Sequence, residues 1–384
     1  MTTENLYNNR LEDIQKTLKR EKPQYVPIFG NPGQGVVAYS GTTIREAYYD
    51  PEKFVDAMTR IYERLWIDCT NSNGITWMPN FQKYQKSPQI TLAPDGISNV
   101  AVTRTQMNED EYDVLIKDPD AFVRDVLLPR TYPELFENGI DHGVEAFKAG
   151  FNDMGNLFYL NELVMKAMAE KYGIVQLTTE DLMIANPLDT IFDYLRGFVG
   201  TSIDIRRRKS QVKEAADVLW ERCTNQFKEL PYTFPFCVQP AHLPTYLNPK
   251  QFAELYWPYE KAIIENIASQ GGKAGIFLEG SWLHVLDFFR DVPKDSCILF
   301  ADSDDVIEVS KRIGDYQIVG GGAINSKMKC ESKEVNLDYT KRVIDECARD
   351  GGFFFTTDKN WNCPSDIMDN MFDVFDCAHE YGRY

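Results

Sequence analysis

The sequence lacks the cysteine pairs and the long apolar runs that mark several large classes of protein. Its eight cysteines are scattered and no two form a C-x-x-C pair, which argues against a zinc finger and a disulfide framework. No window of about 18 uncharged apolar residues is present, so no membrane span is expected. The first residues are polar and lack the apolar run of a signal peptide. These absences predict a cytoplasmic protein with reduced thiols.

Positive charge is also scarce, with 41 Lys and Arg against 58 Asp and Glu and a net charge of −17. Such a chain repels a phosphate backbone unless it carries a local basic face, and its dense basic run is confined to residues 206–209. We therefore expect no nucleic-acid partner. Hydrophobic residues make up 43% of the 384, which is enough for a large core and excludes global disorder.

What the sequence does contain is a regular alternation of strands and helices in its last third. The strands are short, almost wholly apolar and bounded by glycines, which is typical of a parallel sheet covered on both faces. The chain length then favours an α/β fold of the (β/α)8 barrel type, as one domain over 1–384. No G-x-G-x-x-G follows a strand, which weakens the alternative of an open dinucleotide-binding sheet. The strands are predicted at 274–278, 297–300, 316–319 and 353–356.

Two segments are predicted to depart from a minimal barrel. Residues 1–22 are expected to form an N-terminal helix that ends before Pro23, as a helical extension of the barrel. Residues 70–112 are polar and punctuated by glycine and proline, which indicates an insertion or a lid. Further helices are predicted at 51–66, 118–128, 132–150, 156–172, 188–199, 210–228, 249–269, 304–313, 334–349 and 366–381.

Candidate chemistry follows the predicted strands, because barrel active sites lie at the carboxyl ends of the strands. Glu279, Asp302 and Lys359 come directly after three of them, and Asn325 follows a glycine triplet at 320–322. Two carboxylates at one mouth could bind a metal or share a proton. A structural ion pair for Glu279 and a helix cap for Asp302 remain open. The triplet could approach a ligand closely or form a tight turn.

Three further side chains are candidates for binding substrate. His242 lies in a loop between an apolar run and a helix, and could serve as a metal ligand, an acid–base group or a structural residue. Trp282 and Trp361 also follow predicted strands and could line an aromatic pocket. Aromatic residues at such positions also serve as core, so that reading stays open for both.

Several segments resemble the uroporphyrinogen decarboxylase superfamily. They are DTIFDYLRGFVGTSIDIRRR, LPTYLNPKQFAELYWPYEKAI with GIFLEGSW, DDVIEVSKRIGDYQIVGGG and the closing GGFFFTTDK with MDNMFDVFDCAHEYG. The N-terminal PIFGNPGQGVVAYSGTTIREAYYDPEKFVDAM resembles the corrinoid-dependent methyltransferases of that superfamily. The resemblance spans most of the chain through the order and spacing of these segments, and it implies a (β/α)8 barrel.

The resemblance also separates the branches of the superfamily. True decarboxylases carry an arginine-rich N-terminal signature, whereas residues 25–45 hold Arg45 alone. Coenzyme M methyltransferases show His-x-Cys-Gly where this chain has Phe-Leu-Glu-Gly at 277–280. The closest resemblance is to the branch with Glu-Gly-x-Trp, here 279–282, which takes methyl groups from methoxylated aromatics or methylamines to a corrinoid protein.

This branch implies an O-demethylase methyltransferase that passes a methyl group to the cob(I)alamin of a partner corrinoid protein. Glu279 matches the second glutamate of the family's zinc pattern, and Asp302 or His242 could replace the ligands that are missing. Without a metal, Glu279, Asp302 or Lys359 could be the catalytic acid. The family's own zinc pattern is incomplete, because its His position falls on Phe300 and its first Glu on Ile264, next to Glu265. Cobalamin is therefore expected on a partner, with zinc as a second cofactor.

Two other functions remain open at this point. A metal-free decarboxylase would need a basic pocket, for which Arg196, Arg206 and Arg207 are the clustered candidates. The other function is that of a barrel that lost its metal and only binds a small aromatic ligand. It is motivated by Phe300, which stands at the family's histidine position. A phenyl methyl ether and a quaternary amine both remain candidate methyl donors. A homodimer is a candidate assembly of the chain.

Overall fold

The computed structural model describes residues 2–71, 77–86, 90–101, 105–177, 184–224 and 236–384. Within them, eight strands form one parallel sheet in which neighbours in space follow chain order, and the eighth pairs with the first. Among the described residues, the third and fourth strands in chain order are the one consecutive pair that is not hydrogen-bonded to each other. This arrangement confirms the predicted (β/α)8 barrel. The strands are β1 Ile28–Gly30, β2 Cys69–Thr70, β5 Val175–Gln176, β6 Phe236–Ala241, β7 Lys273–Leu278, β8 Cys297–Ala301, β9 Ile318–Ala323 and β10 Phe353–Thr357.

Two further strands, β3 Ile90–Leu92 and β4 Asn99–Ala101, form an antiparallel hairpin outside the barrel. The hairpin lies in the segment predicted as an insertion, together with a short helix at Pro79–Lys83. The backbone N–H of Ile44 donates to Gly96 in the hairpin turn, at 3.0 Å, and so ties the hairpin to the barrel periphery. Residues 72–76, 87–89 and 102–104 lie outside the described residues, and a lid function for 70–112 stays a prediction.

Successive side chains of each strand point to opposite faces of the sheet, and this divides the core into two layers. On β8, Ile298 and Phe300 point into the barrel, whereas Leu299 faces the surrounding helices. The interior layer is closed at the amino ends of the strands by helix α1, whose Ile14 and Leu18 pack into the same cluster. This position of α1 agrees with the helical extension predicted for 1–22.

The glycine triplet 320–322 lies inside β9, which is a correction to its prediction as a loop after the strand. A Cβ on Gly320 would come within 2.5 Å of the Phe300 ring, and one on Gly322 within 2.8 Å of the Phe355 ring. Gly322 also has φ +119, a conformation that L-residues with side chains rarely adopt. The glycines therefore make room for two phenyl rings in the barrel wall, and neither alternative considered from the sequence applies.

The helices surround the sheet and agree with most of the predicted segments. One difference is that the helices predicted at 132–150 and 156–172 are a single 33-residue helix, α8, in which Gly150 and Gly155 are accommodated. The helices are α1 Thr3–Leu18, α2 Ile44–Ala47, α3 Pro51–Thr59, α4 Pro79–Lys83, α5 Tyr112–Lys117, α6 Pro119–Phe122, α7 Leu128–Thr131, α8 Ile140–Tyr172, α9 Pro187–Thr190, α10 Gly197–Arg207, α11 Lys209–Thr224, α12 Pro249–Gln251, α13 Trp257–Ser269, α14 Val306–Ile313, α15 Asn325–Cys330, α16 Lys333–Val343 and α17 Asp369–Tyr381.

Several of these helices are continued by π-helical turns, and 3-10 turns link other elements. The predicted helix 249–269 is continuous, with α12 and α13 joined through a π segment. It begins where Asn248 and Gln251 form a capping box around Pro249. The π segments are Val123–Leu127, Ile191–Arg196, Phe252–Tyr256 and Ile344–Ala348, and the 3-10 turns are Gln34–Ser40, Arg60–Glu63, Pro133–Leu135, Pro244–Tyr246, Leu286–Arg290 and Pro364–Asp366.

Candidate active site

A cavity of about 770 Å³ opens at the carboxyl ends of the strands. Its floor contains Phe277 and Phe300, whose rings stack with centroids 4.8 Å apart. Its wall is polar and is built by residues that follow strands β1, β2, β7, β8, β9 and β10. The lining residues are Asn31, Pro32, Asn71, Phe277, Glu279, Phe300, Asp302, Asn325, Ser326, Lys329, Asp358, Lys359, Asn360, Asn362, Asp366 and Met368. The volume is within the range of small-molecule sites.

Glu279 lies at this mouth, as the sequence predicts, and His242 lies beside it. The Nε2 atom of His242 is 3.1 Å from the Glu279 carboxylate, and its Nδ1 atom is 2.8 Å from Asp193. Burial alone would lower the pKa of His242, but the hydrogen bonds to Asp193 and Glu279 raise it to about 11. His242 is therefore an imidazolium that donates from both nitrogens and holds Glu279 in place.

Asp302 and Lys359 form the second pair at the mouth. The ammonium of Lys359 lies 2.6 Å from one Asp302 oxygen, and the backbone N–H of Gly280 donates to the other at 2.8 Å. Burial would lower the pKa of Lys359, but its hydrogen bond to Asp302 raises it, so the side chain stays cationic. Asp302 is thus not the helix cap that the sequence left open, because Asp305 caps the following helix.

Asn325 and Asp358 form a third contact, on the neighbouring strands β9 and β10. The backbone N–H of Asn325 donates to the Asp358 carboxylate at 2.9 Å, and burial raises the pKa of that carboxyl group. The side-chain oxygen of Asn325 is buried and has no hydrogen-bond partner among the described residues. Asn325 therefore keeps an acceptor available at the cavity wall.

The two tryptophans lie elsewhere. Trp282 is fully buried, with its indole N–H donating to the Glu279 carbonyl at 3.2 Å and its ring edge-on to Phe252. Trp361 is also fully buried and packs edge-on against Phe375. Neither ring reaches the cavity surface, so the aromatic surface available to a substrate is supplied by phenylalanines of the barrel floor.

The zinc ligands considered from the sequence lie near one another, but their side chains are engaged with other partners. His242 uses both ring nitrogens on carboxylates, and Asp302 is engaged by Lys359 and a backbone N–H. Glu265 lies on the outer helix α13 in an exposed pair with Lys261. Among the described residues, no group of three His, Cys, Asp or Glu side chains is arranged to hold a metal ion. These side chains therefore do not fit a zinc ion.

The arginines considered for a decarboxylase also lie away from the cavity. Arg196 is buried and donates to Asp204 at 2.6 Å and to the Met107 carbonyl at 2.6 Å. Arg206 and Arg207 are exposed at the end of α10. The cations that line the cavity are instead Lys329 and Lys359.

Behind His242 lies a buried acidic cluster that sequence reasoning missed. Asp189 accepts the backbone N–H groups of His242 and Leu243 and the hydroxyl of Tyr256, at 2.6–3.2 Å. Burial raises the pKa of Asp189 to about 7, and that of the neighbouring Glu260 to about 8. Asp189 therefore fixes the backbone of the His242 loop.

Other residues of the site also escaped sequence reasoning. Asp193 stands one helical turn after Asp189, and this spacing is a local signal that both carboxylates share a helix face. Asn360 and Asn362 belong to the polar stretch after β10, which could have been read as part of the mouth. No local pattern in the sequence marks Asn31, whose amide donates to Thr356 on the adjacent strand β10 at 3.2 Å.

Comparisons with known proteins show the fold. A methyltransferase from Methanosarcina mazei superposes with a TM-score of 0.58 over 99% of each chain, at 13% sequence identity. A B12-independent methionine synthase from Shewanella sp. W3-18-1, in complex with selenomethionine, matches over 93% of this chain and 97% of its own at 10% identity, with a TM-score of 0.39. A scan of the sequence against known protein families gives no match. A comparison with curated proteins gives none either.

The likeness to the Methanosarcina methyltransferase covers nearly the whole of both chains, so the barrel is shared along its full length. Within the described residues, no helix is both long and apolar enough to cross a membrane.

Proposed function

We propose that this protein is a methyltransferase of the uroporphyrinogen decarboxylase superfamily that takes a methyl group from a methoxylated aromatic compound and passes it to the cob(I)alamin of a corrinoid protein. The observation that carries the proposal is the pairing of an aromatic floor with cationic hydrogen-bond donors at one mouth. Phe277, which stacks on the buried Phe300, lines the floor, and Lys359 lines the wall. His242 lies 3.1 Å from the wall residue Glu279. The shared barrel fold of the Methanosarcina methyltransferase supports it.

An aryl methyl ether is a poor electrophile, because its leaving group is a phenolate. As the carbon–oxygen bond breaks, its electron pair stays on oxygen, which must be stabilised or protonated. The ammonium of Lys359 lines the cavity and can be such a donor. Its contact with Asp302 keeps it charged and oriented. The corrinoid, when bound, supplies the cobalt nucleophile that accepts the methyl group.

Glu279 and His242 have a different part in this proposal. Their ion pair fixes a carboxylate at the rim beside the Lys359–Asp302 pair on the adjacent strand, so one side of the mouth presents two oriented polar groups. Lys329 also lines the cavity and forms no ion pair with the described residues. An anionic substituent on the ring would find its counter-charge there.

The acceptor must approach from the mouth, and the surface beside His242 is apolar. Phe198 and Tyr246 are about half exposed, and their rings lie edge to face with centroids 4.8 Å apart. Tyr194, next to Asp193, is also half exposed. We propose this aromatic surface as the docking face for the corrinoid protein.

The test is an anaerobic assay of the purified protein with cob(I)alamin and a panel of methoxylated aromatics, quaternary amines and methyl thioethers. Loss of the cobalt(I) absorption and growth of methylcobalamin with a methoxylated aromatic is expected. Glu279→Ala should abolish the signal. The matched control, Glu265→Ala, removes an exposed carboxylate on α13 and should leave the rate unchanged.

Other outcomes separate the remaining readings. Transfer from a quaternary amine alone would keep methyl transfer and replace the donor class. No transfer from any donor, even with a corrinoid protein from the same source, would contradict the proposal. Tight binding of the aromatic without turnover would then indicate a ligand-binding barrel.

A further inference from the structure

Helix α8 carries an apolar stripe on its exposed side in addition to the face that packs on the barrel. The buried face runs through Gly143, Ala146, Gly150 and Leu157. The exposed stripe is displaced from it by one residue and repeats at intervals of four and three. Its members, with their exposed fractions, are Ile140 at 81%, Val144 at 45%, Phe147 at 55%, Phe151 at 54% and Phe158 at 54%. A spacing of alternating four and three residues is the pattern of a helix that packs against another helix.

The stripe is as large as the largest apolar patches that monomers expose. Fully buried aromatic side chains cover roughly 150–250 Å² each, so these residues together with Tyr159 present on the order of 500 Å² of apolar surface. The largest patch on a typical monomer is roughly 300–600 Å² and is often functional, so a patch of this size indicates a binding surface. A stable dimer buries about 800 Å² per partner, and the stripe would supply most of that once its polar rim is added.

Gly155 gives the stripe a position without a side chain. It lies inside a long helix, and a Cβ at this position would meet open space. A glycine in a helix interior weakens the helix, and among the described residues no neighbouring atom lies close enough to require it. A neighbour from outside the chain, seated against the bare backbone, would account for it.

We propose that the exposed stripe of α8 is a self-association interface, in which α8 packs antiparallel against α8 of a second copy of this chain about a twofold axis at Phe151. In an antiparallel pair centred there, residues equidistant from Phe151 face each other. Phe147 then lies opposite Gly155 of the second copy, and Val144 lies opposite Phe158. Phe147 thus meets a glycine and Phe158 meets a smaller side chain in both copies, while the two Phe151 rings meet at the axis. This pairing is the self-complementarity that a twofold interface requires.

The polar residues beside the stripe fit the rim of such an interface. Glu145 and Lys148 form an exposed pair at 2.9 Å along one side, and Glu162 lies beyond Phe158. Their long side chains can stay in water while the central rings are covered. No member of the stripe lines the cavity, so the proposal does not depend on the activity proposed above.

The first experiment measures the mass in solution by light scattering as a function of concentration. The wild-type protein is expected at twice the chain mass of 44.2 kDa. Phe151→Glu places two like charges at the axis and should raise the dimer dissociation constant about a hundredfold or more. The matched control, Val335→Glu, charges a similarly exposed residue on α16 and should leave the dimer intact.

A second variant tests the register of the two α8 helices without weakening the dimer. Phe151→Cys places two sulfurs at the axis, so mild oxidation should give a covalent dimer that reductant dissolves. Tyr49→Cys, at a residue 70% exposed outside the stripe, is the control and should crosslink no more than the wild type, which itself has the exposed Cys330. Gly155→Leu should weaken the dimer, since it fills the place opposite Phe147.

A wild-type chain that remains at 44.2 kDa at every concentration would overturn the proposal. So would a dimer that Phe151→Glu leaves intact, or one in which Phe151→Cys fails to crosslink. A monomer that binds lipid vesicles through the stripe would assign the surface to a membrane instead, and would equally contradict self-association.

Discussion

At the residue scale, the most informative group is His242, because two carboxylates determine its charge. Asp193 and Glu279 lie 2.8 and 3.1 Å from its two ring nitrogens, and their hydrogen bonds raise its pKa to about 11. An imidazolium cannot take a proton at neutral pH, so His242 acts as a fixed cation and donor in the intact site. A general-base role would require one of the carboxylates to be lost.

We therefore predict that Asp193→Asn lowers the pKa of His242, because the hydrogen bond to a charged acceptor is replaced by one to a neutral amide. NMR titration of the imidazole measures this directly. Asp217→Asn, which removes a carboxylate bonded to Tyr259 instead, should leave the His242 titration unchanged. An unchanged titration in Asp193→Asn would show that Asp193 does not set the charge of His242.

Glu260 has the opposite electrostatic situation, because it is buried without a cation. Asn186 donates to one of its oxygens at 3.1 Å, and the other has no hydrogen-bond partner among the described residues. Burial raises its pKa from 4.5 to about 8. Between these values the folded protein keeps a proton that the unfolded chain has lost, so the free energy of unfolding falls as pH rises through this window.

Glu260→Gln should remove this part of the pH dependence. At pH 5 the variant and the wild type should have similar stability, since both carry a neutral side chain in the folded state. At pH 9 the variant should be more stable by about 2–4 kcal/mol, in line with 1.36 kcal/mol per pKa unit. Thermal unfolding from pH 5 to 9 measures the difference, with Glu265→Gln on the same helix as control. Parallel pH profiles for wild type and Glu260→Gln would refute the argument.

At the scale of elements, β9 shows why some of the fold could be predicted and some could not. Apolar runs bounded by glycine predicted β7, β8 and β10 to within one residue at each end. The same reasoning ended β9 before its glycines, because glycine in a sequence most often signals a turn. The reason for Gly320 is the ring of Phe300 on the adjacent strand, and no local pattern shows which side chain lies across a sheet.

Gly320→Ala should therefore destabilise the barrel by about 1–3 kcal/mol, because the new methyl group would overlap the Phe300 ring. Chemical denaturation of the single variant measures this cost. The double variant Gly320→Ala with Phe300→Leu should recover part of the loss relative to Phe300→Leu alone, since the smaller side chain leaves room. Additive effects of the two substitutions would mean that the crowding is not between these residues.

The same limit explains which parts of the site were predictable. Glu279, Asp302, Asn325 and Lys359 were found because a barrel brings the carboxyl ends of its strands to one mouth. Asp193, the partner of His242, lies 49 residues upstream on another element. Local sequence patterns do not show which residues so far apart in the chain come into contact. Trp282 illustrates the converse, because its position after a strand suggested the mouth while its size and the nearby Phe252 place it in the core.

At the scale of the whole molecule, α1 closes the barrel at the end opposite the cavity. Its Ile14 and Leu18 complete the interior core, and Arg10 reaches the buried Asp68 just before β2 at 2.8 Å. Arg10 also donates to the Tyr172 carbonyl at the end of α8, also at 2.8 Å. One side chain thereby connects the first helix, the second strand and the longest helix.

We predict that Arg10→Met destabilises the whole barrel by about 3–5 kcal/mol, because it leaves the Asp68 carboxylate buried without its cation. Asp68 still accepts the N–H groups of Ile28 and Trp66, at 2.8 and 2.9 Å, so the carboxylate remains held inside and cannot turn to water. Lys16→Met on the same helix breaks only an exposed pair with Glu12 and should leave the stability almost unchanged. Denaturant unfolding distinguishes the two, and equal costs would show that α1 packs on the barrel without the buried pair contributing to its closure.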